Sequence, residues 1–357
     1  YNSNFFCDRK VELEYLQENI LNVRNTLIHS PRRLGKSSLI LHLFHTLESK
    51  KQYETVYVDL FATSNINDFV KEFGQVILRK YFFKNLLSGV KKLFAGLQAN
   101  VSFSHDGMPQ LSMGLQGGQV DSGLRELFDF LEKRKKPVII AFDEFQEVAN
   151  YPEKAEALLR SFVQRLNNVV FIYSGSSRHI LQNMFFGPKQ PFFQSSESLM
   201  LDKINVDEYS RFIEYCFNYG NKKIEKGAID YLLDFSETHT YYTQSICNQA
   251  FYNADKTFSK DEAIAVAQTY LETHKADYAS ILSLLPENQR KVIKAIAREG
   301  KVQKPSAMEF LIKHKLPSIS STMQALNALV EKEMVYKAGN VYKVYDVFLR
   351  RFLEKYY

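Results

Sequence analysis

The chain has no tryptophan, three cysteines and nine prolines in 357 residues. Cys7, Cys216 and Cys247 are far apart and away from any histidine cluster. That argues against a disulfide framework or a zinc site and makes a reducing cytoplasm the expected compartment. No apolar run approaches the roughly 20 residues of a membrane span. The first residues lack a signal-peptide pattern, and a chain opening on Tyr1 rather than Met is expected to lack its natural start. Net charge is a modest +6 and unevenly placed. Residues 286–357 hold 14 Lys and Arg against 7 Asp and Glu, a balance of +7, which leaves the rest at −1. A basic C-terminal module suits nucleic acid or an acidic protein surface. The length exceeds one ordinary domain, and 45% hydrophobic content supports two or three full cores.

One stretch organises the rest. His29-Ser30-Pro31-Arg32-Arg33-Leu34-Gly35-Lys36-Ser37-Ser38 follows a β-like run at 25–28 and opens a helical pattern at 39–44. Strand, loop, Gly-Lys-Ser and helix together are the setting of a phosphate-binding P-loop. Backbone N–H groups and the helix N-terminus face a polyanion there. Lys36 is placed to reach the β- and γ-phosphates, and the Ser37 hydroxyl to ligate Mg²⁺. Ser30 replaces the first Gly of Gly-x-x-x-x-Gly-Lys-Ser/Thr, a position that a small residue of negative φ tolerates.

Around this loop the pattern alternates. A helix is predicted over 9–24, a strand over 55–60 and a helix from about 67 to 83; such alternation implies a parallel sheet covered on both faces. An insertion at about 84–120 interrupts it, with a basic helical piece at 84–97 and a β-hairpin turning at His105-Asp106-Gly107. The hairpin reads either as a cap on the core or as an arm for a protein partner. Val138-Ile139-Ile140-Ala141-Phe142-Asp143-Glu144 is a central parallel strand by its continuous apolarity. Its two acids fall at the sheet edge where α/β proteins bind ligands. Asp143 there would hold Mg²⁺ through water and Glu144 would polarise the attacking water; a capping pair is the plainer alternative. A strand at 168–178 ends in Ser174-Gly175-Ser176-Ser177. A hydroxyl such as that of Ser176 would sense the γ-phosphate or cap the helix at 178–186. A last strand at 198–201 is placed beside the P-loop strand.

From 206 the periodicity is purely helical, over 207–219, 224–237, 241–255 and 260–276, with Tyr209, Phe212, Tyr215 and Phe217 as core stripes. Three further helices (287–299, 305–314, 319–332), a hairpin at 334–344 and a helix at 346–356 form a winged-helix arrangement. Its third helix offers Ser320, Ser321, Thr322, Gln324 and Asn327 but no Lys or Arg in that stretch. Phosphate neutralisation on DNA would therefore fall to Lys337, Lys343, Arg350 and Arg351.

Together these residues resemble the AAA+-type P-loop ATPases of archaea and bacteria, on the branch grouped with the STAND signalling ATPases. Phe6-Cys7-Asp8-Arg9-Lys10-Val11-Glu12 is similar to that group's Phe-x-x-Arg-x-x-Glu opening, which implies that Phe6 and Arg9 lie near the adenine. Pro31-Arg32-Arg33-Leu34-Gly35-Lys36-Ser37-Ser38 resembles its Walker A with paired arginines, Asp143-Glu144 its Walker B, and Ser174-Gly175-Ser176-Ser177 its sensor segment. Glu237-Thr238-His239-Thr240-Tyr241-Tyr242-Thr243-Gln244 resembles its lid motif Gly-Gly-His-Pro-Tyr-Tyr-x-Gln, with both glycines and the proline replaced. The resemblance implies that His239 faces the phosphates.

The expected fold is a parallel-sheet P-loop NTPase of the AAA+/ASCE type (residues 1–204), then a helical lid (205–280) and a winged-helix domain (281–357). The expected function is an ATP-binding, Mg²⁺-dependent ATPase acting as a nucleotide-controlled switch, with Lys36, Glu144 and Ser176 in catalysis. Arg178 is the candidate for an arginine finger, but no signal in the sequence identifies one, so slow intrinsic turnover is expected. The alternative is a DNA-binding or scaffold protein with nucleotide as a structural ligand. A compact kinase would need neither lid nor winged helix. Monomer and weak oligomer both remain open, and no membrane association is expected.

Overall fold

Near-continuous apolar strands form the centre of the first unit. In the structure, a computed structural model that describes residues 5–82, 100–104, 108–112 and 119–357, residues 1–202 form one compact unit and 203–357 another. The first contains α1 (Lys10–Leu21), β1 (Thr26–His29), α2 (Lys36–Ser49), β2 (Glu54–Asp59) and α3 (Ile66–Phe82). A hairpin of β3 (Asn100–Phe103) and β4 (Pro109–Ser112) follows, then α4 (Gln119–Glu132), β5 (Val138–Asp143), α5 (Ala155–Val163), β6 (Val169–Gly175), α6 (Arg178–Phe186) and β7 (Glu197–Met200). The sheet order is β2-β5-β6-β1-β7, and every pairing is parallel. The inner strands β1, β5 and β6 are buried throughout, whereas the edge strand β7 is largely exposed, as a sheet covered on both faces requires.

The two-residue period of a strand sorts the side chains. Val138, Ile140 and Phe142 enter an aromatic core with Phe69, Phe73, Phe128, Phe145, Phe171, Tyr173 and Phe192. Ile139 and Ala141 face the other way, into an aliphatic core with Leu39, Ile40 and Leu43 of α2 and Leu16 of α1. Asp143 continues that second set, so its carboxylate emerges on the α2 face. The same parity carries Tyr57 of β2 and Ser174 of β6 to that face.

The hairpin caps the aromatic core. Leu111 is buried in it, and Gln75 of α3 both donates to the Pro109 carbonyl (2.8 Å) and accepts from the Leu111 N–H (2.7 Å), acting like a neighbouring strand. The predicted turn at His105-Asp106-Gly107 and the basic piece at 84–97 lie outside the described residues.

The second unit begins with α7 (Val206–Tyr219), α8 (Lys226–Phe235), α9 (Thr240–Asn253), α10 (Lys260–Thr273) and α11 (Lys275–Ser283). Its pattern is not purely helical: the short strands β8 (Lys223–Ile224) and β9 (Thr257–Phe258) pair in parallel. The helix predicted over 260–276 breaks at His274, whose ring Nδ1 lies 2.8 Å from the Tyr270 carbonyl. Tyr209 and Phe217 are core residues as expected, but Tyr215 is 43% exposed, on the open side of α7.

The chain then forms α12 (Glu287–Glu299), α13 (Met308–Lys313), α14 (Ile319–Glu331), an antiparallel pair of β10 (Val335–Ala338) and β11 (Val341–Val344), and α15 (Val347–Tyr356). A bridge from Val302 to Tyr342 adds a third short strand segment. Three helices and a hairpin with this extra bridge make a winged helix. Among the described residues no helix is long and apolar enough to cross a membrane.

Candidate functional site

Parallel strands deliver their C-terminal ends to one edge, and the loop at 30–35 lies there. Gly35 adopts φ +98° immediately before α2, a conformation that side chains bearing a Cβ rarely adopt. Arg33 is also left-handed, at φ +63°, whereas Ser30 is not; the substitution at the first Gly therefore fits its backbone. The chain thus turns sharply and presents the first turn of α2, with its free N–H groups, toward the sheet edge.

Lys36 opens α2 and is 5% exposed. Its ammonium donates to the Ser30 carbonyl (3.1 Å), the Pro31 carbonyl (3.2 Å) and the Ser30 hydroxyl (3.4 Å). Burial lowers its pKa from 10.5; Glu144 and Asp143 pull it back up, and Arg32 adds to the lowering.

Asp143 is the most heavily bonded acid of the site. Its Oδ2 accepts the Ser37 hydroxyl at 2.5 Å and the Tyr57 phenol at 2.5 Å. Its Oδ1 accepts the Ser174 hydroxyl at 2.6 Å and the Glu144 N–H at 3.0 Å. The phenol's own pKa is driven far upward by burial and by that carboxylate; Tyr57 is a neutral donor here.

Glu144 turns out of the strand at φ +52°. Its Oε2 accepts the Ser176 hydroxyl (3.0 Å) and the Gln146 amide (2.6 Å), and Ser176 in turn accepts from Arg32 Nε (3.3 Å). Gln146 is 3% exposed. The loop, the strand end and the segment after β6 therefore meet through hydrogen-bonded side chains. Ser37, a hydroxyl beside a carboxylate, is a hard-oxygen pair of the kind that Mg²⁺ takes, completed by water and phosphate oxygens.

The remaining residues singled out from sequence fall into three places. Arg9, 5% exposed, donates to the Leu34 carbonyl (3.5 Å) and the Asp202 carbonyl (2.5 Å) and pairs with Glu12; it fastens the start of α1 to the loop. Phe6 lies flat on His42 of α2, with ring centroids 4.0 Å apart and planes 6° apart. Ser38 is exposed on α2. His239 belongs to the second unit, 7% exposed at the start of α9, with its ring 4.7 Å from that of Tyr242. The Arg178 side chain lies outside the described residues.

Sequence reading missed Tyr57 and Gln146. It also assigned Arg350 and Arg351 to DNA phosphates. Both are engaged inside the second unit: Arg350 pairs with Glu237 and Glu354, and Arg351 donates to the carbonyls of Asp234 (2.7 Å) and Phe235 (3.1 Å). Thr322, expected on the open face of α14, is fully buried.

Residues 6–214 match the family described as "ATPase domain predominantly from Archaea". Residues 276–355 match "Probable winged helix domain". No curated protein matches the chain. Among solved structures, the Walker-type ATPase PABY2304 of Pyrococcus abyssi aligns over 98% of this chain and 96% of its own, at 18% identity and a TM-score of 0.66. The ORC2 protein of Aeropyrum pernix, in ADPNP–ADP complexes, aligns over 99% and 97%, at 13% identity and 0.61. The ORC1 protein of the same organism, in complex with DNA, aligns over 98% and 93%, at 12% identity and 0.54. At such identities these likenesses establish a shared fold.

Proposed function

The chain belongs to the family of ATPase domains found predominantly in Archaea, and on that premise we propose that it is a magnesium-dependent ATPase working as a nucleotide-controlled switch, on the STAND-related branch of the AAA+ enzymes. The observation that carries this reading is the bond between Ser37 and Asp143, which makes one site of the loop and the acidic strand end.

In this reading the loop backbone and the α2 N-terminus wrap the phosphates. Lys36 exchanges its contacts with Ser30 and Pro31 for the β- and γ-phosphate oxygens. Ser37 and Asp143 would hold Mg²⁺, which supplies charge neutralisation on the phosphates. Glu144 orients the attacking water and takes its proton, and Ser176 and Gln146 fix the carboxylate for that task. Catalysis by positioning and neutralisation is what phosphoryl transfer asks of a protein. Phe6 and Arg9 flank the nucleotide's base end and Arg32 and Arg33 its outer phosphate side, while the lid motif that residues 237–244 resemble assigns His239 to the phosphates. Arrival and loss of the γ-phosphate then bias the lid and winged helix.

Phosphate release by the wild type, Lys36→Ala and Glu144→Gln tests the enzymatic claim. The proposal expects turnover in the wild type and near-background rates in both variants; equal rates in all three overturn it.

A second reading makes DNA the working partner and nucleotide a structural ligand. The +7 balance of residues 286–357 and the DNA-bound ORC1 structure favour it. With Arg350 and Arg351 engaged internally, Lys337 and Lys343 remain of the four cations assigned to phosphate, and Lys343 also acts on the Glu237 carboxylate. Retention of the full chain on duplex DNA that falls steeply with salt would support this reading, and the absence of retention at low salt would remove it.

A further inference from the structure

Two consecutive residues of the second unit, Glu237 and Thr238, have φ of +52° and +53°. Neither is glycine, and Thr is β-branched, the kind of residue least suited to that conformation. They form the turn between α8 and α9 that ends in His239. The turn is closed by backbone bonds from the N–H groups of Glu237 to Asp234, Thr238 to Leu233 and His239 to Ser236. Beneath it, the buried Ser236 and Thr243 hydroxyls bond at 2.8 Å.

Charge holds the strained turn from outside. Arg350, 8% exposed on α15, lies 2.5 Å from Glu237 Oε1. Lys203 donates to the Glu237 carbonyl at 2.6 Å and lies 3.5 Å from its Oε2. Burial works against ionising Glu237, yet Arg350, Lys203 and Lys343 together bring its pKa below 4.5. Apolar packing ties the same pieces. Phe348 of α15 lies against Phe235 (5.4 Å), Tyr242 (4.8 Å) and Tyr270 (4.7 Å). Arg351 holds the last carbonyls of α8. The lid motif that this segment resembles has Gly-Gly at 237 and 238, residues that adopt positive φ unaided. Here a carboxylate and a remote arginine do that job instead.

We infer that Arg350 is a positioning residue: through Glu237 it locks the turn that carries His239, so that the terminal helix of the winged-helix segment and the start of α9 move as one piece. The consequence for nucleotide rests on the function proposed above; the lock itself does not. Lys203, the first residue of this unit, joins the lock directly after Asp202, whose carbonyl is held by Arg9 in the first unit.

The test uses the full chain as wild type, Arg350→Met, Glu237→Gly and the double variant. Two quantities are read: hydrogen exchange at the Thr238, His239 and Thr243 amides without nucleotide, and affinity for a fluorescent ADP analogue. Arg350→Met is expected to speed exchange at those amides about tenfold and to weaken ADP about tenfold, a typical coupling between two sites. Exchange in the core of α12 should stay unchanged. The double variant, in which glycine makes the turn alone and neither member of the Arg350–Glu237 pair is left without the other, should recover both. Unchanged exchange at the turn, a uniform rise across the unit, or a double variant no better than Arg350→Met each overturns the lock. Local exchange as expected, with ADP affinity unmoved in Arg350→Met and in His239→Ala alike, upholds the lock and overturns only the nucleotide contact by His239.

Discussion

Ser37 Oγ lies 2.5 Å from Asp143 Oδ2, although the two residues stand 106 positions apart. Two local rules bring them together. A glycine at φ +98° starts α2 at the sheet edge, and the parity of β5 turns Asp143 toward α2 once Ile139 and Ala141 are buried under it. The site follows from packing as much as from motif.

Asp143→Asn keeps the shape of that side chain and removes its charge. Because Asp143 is expected to act on the metal through water, the variant should need roughly 10–100-fold more Mg²⁺ for half-maximal turnover. Magnesium titrations of steady-state phosphate release check this. An unchanged magnesium requirement would place the metal elsewhere.

Glu144 and its partners separate chemistry from binding. Glu144→Gln should lower kcat by about 10²–10⁴-fold, the usual weight of a general base, and leave ATP affinity near wild type. Gly175→Ala probes the support. A Cβ there would stand 2.0 Å from Gln146 Oε1 and 3.0 Å from Leu181 Cδ1, so Gln146 must give way and loosen its hold on Glu144. A partial loss of kcat at constant KM is expected; loss of KM alone would argue that Gln146 serves binding.

Lys36 gives the binding reaction a pH signature. Its folded-state pKa is lowered from 10.5, chiefly by burial, so in the folded protein the ammonium is lost at a lower pH than in the unfolded chain. The unfolded chain then binds more protons between the two values, and the stability cost of burying this cation fades as pH rises through that window. Polyphosphate favours the charged form, so ATP affinity should fall as pH climbs through the folded-state value. Lys36→Arg, which stays charged, should show a flat profile at whatever affinity it retains. Equilibrium binding from about pH 7 to about pH 10 reads the difference.

Glu237 supplies the acid counterpart. Its folded-state pKa is lowered below 4.5, so its ion pairs stabilise the second unit above that value, and the stabilisation is lost as pH falls through the folded-state pKa. Thermal melting of the wild type should drop in that window more steeply than that of the Glu237→Gly/Arg350→Met double variant. Parallel curves would show that Glu237 contributes no pH-dependent stability.

What was legible in the sequence was local. Gly35-Lys36-Ser37 before a helical pattern, the apolar strand ending in Asp143-Glu144, and the helix–hairpin order after Pro286 all rest on spacing within a few residues. What was not legible depends on which strands are neighbours. Tyr57 reaches Asp143 only because β2 lies beside β5, and Gln146 matters only once the Glu144 backbone turns left-handed. Charge counting alone placed Arg350 and Arg351 on DNA, because the Glu237 carboxylate and the α8 carbonyls that engage them lie more than a hundred residues away. The two-residue strands β8 and β9 are too short to show a period. Tyr215 broke its core stripe because α7 leaves that flank open.

Crystals of the full chain grown with a non-hydrolysable ATP analogue and Mn²⁺ in place of Mg²⁺ would test the central claim most directly. The account predicts an anomalous metal peak beside the Ser37 hydroxyl and within one water of the Asp143 carboxylate, with the β- and γ-phosphates on Lys36. A triphosphate bound away from the loop at 30–38, or a metal whose surroundings omit both Ser37 and Asp143, would contradict it.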